Sequence, residues 1–188
     1  GVLRVESRHP KAPVAQVQQF LRIFVDIVLW RRGPQDLPAS SLLLATAVAA
    51  YVVVSVVQLA LLGETAATWL FFVVADPLLL AAWVWLVLKL FGHAERFVQT
   101  AAAVFGTGAV LGMFLYLPLQ FIVTGFSQAP SSGLAQSFAL LLVIAFALVT
   151  GRIIKLATDS SMFTGVAVSL TYFLVINYLV GVLRGPGA

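Results

Sequence analysis

The chain has 188 residues, 61% hydrophobic and 10% charged, and its mean hydropathy of +1.04 excludes an ordinary water-soluble globule. Eleven Lys and Arg against seven Asp and Glu leave a net charge of +4. In so apolar a chain this excess points to membrane topology and anionic headgroups rather than to nucleic acid. The absence of cysteine excludes disulfides, thiol nucleophiles and Cys-based metal sites, and the length suits one domain of four to six spans.

Residues 1–13 are polar, basic and broken by Pro10 and Pro13, and read as a flexible cytoplasmic tail, not a signal peptide. Residues 14–32 read as an amphipathic helix. Gln18, Arg22 and Asp26 line one face, and Val14, Val17, Leu21, Phe24, Val25 and Val28 fill the other. Arg22 and Asp26 are one turn apart and able to pair. The apolar run is too interrupted to span. Its basic end, with Trp30, Arg31 and Arg32 beside Arg22, suits a helix lying at the headgroups, although the same face would also suit a soluble partner.

Gly33 is expected to end this helix, and Asp36 or Leu37 to cap the next, with Pro38 at its first position. Five spans follow within residues 40–184, at about 40–62, 68–91, 97–124, 133–151 and 163–183. Tyr51, Ser55 and Gln58 share a stripe of the first. The connections Gly63-Glu64, residues 92–96 (GHAER), residues 127–132 (SQAPSS) and residues 152–161 (RIIKLATDSS) are short, so neighbours run antiparallel. The fold expected is all-α: an integral membrane five-helix bundle preceded by an interfacial amphipathic helix. Ten of the eleven Lys and Arg fall on the N-terminal side of the membrane and only Arg184 on the other, which places the N-terminus in the cytoplasm and the C-terminus outside.

The second span carries the one acid inside the spans, Asp76, followed at once by Pro77. An intramembrane acid is a functional hypothesis by default. It lies nine residues from the outer end of its span, about 13 Å at 1.5 Å per residue. Counted from the same side, Tyr116, Gln120, Asn177 and Gln58 fall within reach of one layer. Asp76 there would relay protons, hold a cation or meet a headgroup; the plainer reading is that it is protonated, or bonded to Asn177 and Tyr116, and only fixes helix register. Pro77 frees a carbonyl near Val73 and should kink the helix. Gly106, Gly108 and Gly112 give the third span a small-residue face for helix packing, either within the chain or as a dimer seam. Trp69 suits the outer interface, and Trp83 and Trp85 the inner aromatic belt. His9 and His93, far apart and without an acid cluster, make no metal site. No nucleophile–base pair, phosphate loop or zinc motif is present, so neither enzyme activity nor a cofactor is expected.

Three stretches carry a family resemblance: residues 18–34 (QQFLRIFVDIVLWRRGP), the junction Glu95–Thr100 (ERFVQT), and the small-residue run Ala101–Pro118 ending in proline. Through them the chain resembles the Yip1 family of small polytopic membrane proteins, in its bacterial form. The acidic, tyrosine-rich entry segment of the eukaryotic members is absent, with Pro34–Pro38 in its place, so no trafficking role is carried over. No catalytic residues are implied. The function expected is that of a non-enzymatic protein of a bacterial inner membrane, an accessory or assembly subunit or a lipid-organising factor. Its partners would be membrane lipids and a membrane protein or a second copy of itself. The alternative is a small transporter or channel-like protein with its polar site around Asp76.

Overall fold

The computed structural model describes residues 13–62, 66–126 and 132–184. Among them all regular structure is helical: α1 (Pro13–Val28), α2 (Ser41–Leu62), α3 (Ala66–Leu70), α4 (Asp76–Leu90), α5 (Phe97–Leu111), α6 (Leu117–Phe126), α7 (Ser132–Thr158) and α8 (Met162–Arg184). The expected tail, the Gly63-Glu64 turn and most of the third connection lie outside the described residues. Five stretches are long and apolar enough to cross a membrane: Ser41–Leu61, Thr68–Leu90, Ala94–Ile122, Leu140–Thr158 and Met162–Val182. Leu42, Leu78, Phe114 and Leu174 stand exposed on their outer faces, as suits side chains whose solvent is lipid.

One span is central. In the stretch that includes α5, 67% of the apolar window is buried inside the protein, against 11% for α2 and 6% for α8. The sequence explains this. Ala101, Ala102, Ala103, Gly106 and Gly108 leave α5 thin enough for neighbours to approach on several sides. Tyr51 of α2 lies against Gly108, 3.1 Å from where a β-carbon would stand, and Val54 and Gln58 lie against Gly112 at 2.9 Å. These glycines therefore form a seam within the chain and are covered there by α2. A second close crossing joins α7 to α8, where the backbone of Gly151 meets Gly165 without room for a side chain on either.

Two spans carry a wide, π-helical turn directly before a proline. Phe71–Ala75 joins α3 to α4 and closes with Asp76 N–H donating to the Phe71 carbonyl; Gly112–Tyr116 joins α5 to α6, with Leu117 N–H donating to the Gly112 carbonyl. Proline lacks an N–H and its ring crowds the carbonyl four residues back, and a wide turn relieves both faults. The irregularity expected at Pro77 thus takes the form of a π turn, and Pro118 produces a second that was not anticipated. Each turn advances the helix face by about one residue.

α1 packs across one end of the bundle. Phe24 and Ile27 are almost fully buried against α5, with the Phe24 ring over Gly106, whereas Leu21 of the same apolar face is exposed. The helix stops at Val28, earlier than Gly33. Trp30 takes the left-handed conformation (φ 64°), and the N–H groups of Trp30 and Arg31 return to the carbonyls of Ile27 and Asp26 at 3.0 and 2.8 Å. Asp26 pairs forward with Arg31 and Arg32, at 3.7 and 3.6 Å, instead of backward with Arg22. The reversal of the chain at Trp30 brings these arginines over it. Arg152 of α7 donates to the carbonyls of Trp30 and Arg32, both at 2.9 Å, and lies over the Trp30 ring, so α1 is tied to α7 as well.

Two helix boundaries differ from expectation. Asp36 closes its own short turn by accepting from Gly33 N–H, and Ser40 Oγ accepts from Leu43 N–H at the start of α2. The fourth span continues past Gly151 to Thr158, because Gly151 serves helix crossing and the helix ends instead at Asp159, in the left-handed conformation. Arg152 and Lys155 therefore stand on a helix, and Asp159 accepts from Arg96 at 2.8 Å.

Candidate functional site

Asp76 opens α4 immediately after the π turn and is 3% exposed. Tyr51 Oη of α2 donates to its Oδ2 at 2.6 Å, and Tyr172 Oη of α8 donates to its Oδ1 at 2.8 Å. One acid thus joins three helices that are distant in sequence. The Tyr51 ring meets Phe105 of α5 edge-on at 5.3 Å, which fixes it from the side.

Beside this cluster lies a cavity of about 720 Å³, walled by α2, α4, α5, α6, α7 and α8. The volume falls in the range of about 300–1,000 Å³ typical of small-molecule sites. Its walls have three zones. Gln58, Tyr116, Gln120 and Asn177 line the part farthest from α1; Tyr51, Asp76 and Tyr172 line the middle; Leu80, Val84, Val104 and Ile154, all buried, close the end nearest α1. Leu80 and Val84 follow Asp76 by four and eight residues on α4, hence about 6 and 12 Å deeper. Toward α1 the bundle is then filled by Phe24, Phe105 and their neighbours. Among the described residues, no Lys, Arg or His lines this cavity.

All five residues expected to share a polar layer line the cavity, but they do not all serve Asp76. Asn177 Nδ2 donates to the carbonyl of Phe173, one turn back on its own helix, at 2.8 Å. Gln58 packs beside Gly112, and Tyr116 and Gln120 stand on the α6 side. The phenols that hold the acid are Tyr51, read in the sequence only as part of a stripe, and Tyr172, not singled out there at all. Trp83 is a further revision. Instead of joining an aromatic belt it lines the cavity, its ring 6.1 Å from that of Tyr172, and its buried Nε1–H has no hydrogen-bond partner among the described residues. Seven residues after Asp76 it shares the same helix face, a spacing visible in the sequence. Trp85 does face outward, with Lys89 Nζ 4.6 Å above its ring.

The residues assigned to headgroup contact lie at the α1 end: Arg22, Trp30, Arg31 and Arg32 are exposed, the last two paired with Asp26. His93 sits 3.6 Å from both Glu95 and Asp159, in an ion-pair cluster with Arg96 that ties the α4–α5 connection to the end of α7. Among the described residues no group of three or more His, Cys, Asp or Glu has metal-binding geometry. No family model, curated protein or solved structure matches this chain, so the reading of the site rests on its geometry.

Proposed function

We propose that this integral membrane protein is a non-enzymatic, lipid-organising factor that takes one amphipathic, lipid-like molecule into the cavity beside Asp76. The observation that carries the reading is the cavity itself. The space is open along one side rather than sealed: Phe72, Leu119, Val143 and Ile176 of its lining are only partly buried. At about 720 Å³ it has the size of a small-molecule site and is in reach of the surrounding lipid. Its partly buried apolar walls, Phe72, Leu119, Val143 and Phe146 among them, suit a hydrocarbon group, and its polar residues suit a head. The exposed basic residues of the α1 end would attract anionic lipid, and the expected cytoplasmic N-terminus and bacterial inner membrane fit this reading. The likeness to the Yip1 family, whose members carry no catalytic residues to map, agrees with it.

A transporter is the second reading. It is favoured by the two π turns beside Pro77 and Pro118, which border the cavity and interrupt two spans where carriers build their sites. Assembly with a membrane-protein partner or a second copy is compatible with either, through the exposed apolar faces.

Native mass spectrometry after gentle extraction tests the proposal. Wild-type protein should retain one amphiphile per chain. Val143→Trp, which places an indole in the cavity from α7, should reduce occupancy at least fivefold without unfolding the protein. Wild type that flies bare, or equal retention by the variant, would contradict it.

A further inference from the structure

The charge of the cavity selects its guest. Resting on the amphiphile-binding reading above, we infer that the site takes a lipophilic cation, an amine or onium group attached to a hydrophobic body. Among the described residues, Asp76 is the one carboxyl group on the cavity lining and no basic side chain lines it. A carboxylate has about four lone-pair positions. Tyr51 and Tyr172 use one on each oxygen, which orients the carboxylate and leaves capacity for a cation. A cationic guest would hold Asp76 in its charged form by supplying the countercharge that the protein does not; an anionic guest would gain no attraction from it in either form.

The aromatic lining adds a second preference of the same sign. Tyr51, Phe72, Trp83 and Tyr172 all line the cavity with Asp76, and aromatic faces attract organic cations, most strongly where water is excluded. Beside the acid, the partly buried Leu119, Val143, Phe146 and Ile176 receive the hydrophobic body. The buried Trp83 N–H remains available to an acceptor carried on that body.

Three probes of similar shape and different charge decide the matter: tetraphenylphosphonium (positive), triphenylphosphine oxide (neutral) and tetraphenylborate (negative). Each is measured by equilibrium dialysis against full-length protein in uncharged detergent, with protein-free micelles subtracted. The phosphonium should bind about tenfold or more tighter than the oxide, and the borate weaker than either. Asp76→Asn should remove the phosphonium advantage and change oxide affinity less than about threefold. Tyr172→Phe, which keeps the carboxylate, should retain the advantage. Should Asp76→Asn fail to fold, the three-probe order in wild type and Tyr172→Phe decides alone. Oxide and phosphonium binding alike would overturn the cation inference and leave the amphiphile reading standing. Binding of none of the three would overturn both.

Discussion

Gly106→Ala should destabilise the protein by about 3 kcal/mol or more and release α1 from the bundle, and Phe24→Ala should restore part of the loss. The added methyl group would have to occupy the space of the Phe24 ring, which is 1% exposed and has nowhere to retreat. Moving the ring out undoes the packing of Ile27 with it. Phe24→Ala alone forfeits the ring, a loss of about 3–5 kcal/mol for buried aromatics. With both changes the methyl group occupies space the ring has left, so the double variant should be more stable than the two single losses predict. Thermal unfolding in detergent with limited proteolysis after Val28 measures this. Additive losses would show that the ring and the glycine do not oppose each other.

Asp76→Leu should cost about 1–3 kcal/mol through its two phenols, with an interaction energy that vanishes when Tyr51 and Tyr172 are both phenylalanine. Hydrogen bonds between membrane helices are worth about 0.6 kcal/mol on average and about 1.7 at most. The Asp76 bonds belong near the upper end, being short, at 2.6 and 2.8 Å, and almost shielded from the surroundings. Asp76→Asn keeps one acceptor oxygen and should lose about half as much. A cycle built from Asp76→Leu, Tyr51→Phe and Tyr172→Phe isolates the coupling. Independence of Asp76→Leu from both tyrosines would mean that the acid is held by something else.

Much of this architecture was legible in the residues because span length is set by the bilayer and apolar runs declare it. The small-residue face of the third span marked a close helix crossing, but not that this span is the central one. Helix ends were less legible. Both Trp30 and Asp159 adopt a left-handed conformation that glycine would ordinarily supply, while Gly33 and Gly151, the residues that invited those boundaries, serve other purposes.

The site was half legible. Counting depth along the spans placed Asp76, Gln58, Tyr116, Gln120 and Asn177 around one cavity. Depth says nothing about where a side chain turns. Asn177 satisfies itself on its own helix, as short amides do when a carbonyl stands one turn away. Tyr172 lies five residues deeper than Asn177 and about three deeper than Asp76, roughly 4.5 Å, a difference its long ring spans to reach the acid. The π turn before Asp76 also shifts its helix face, which no regular periodicity anticipates.

The central claim is that an acid is held within the bundle by two phenols beside an occupied amphipathic cavity. A crystal structure from a lipid mesophase tests it most directly. The account predicts the Asp76 carboxyl within hydrogen-bonding distance of Tyr51 and Tyr172, with elongated density whose polar end meets the acid and whose apolar end runs along Leu119, Val143 and Ile176. A carboxyl turned outward to acyl chains or into bulk water, or helices closed together so that the cavity is gone, would contradict it.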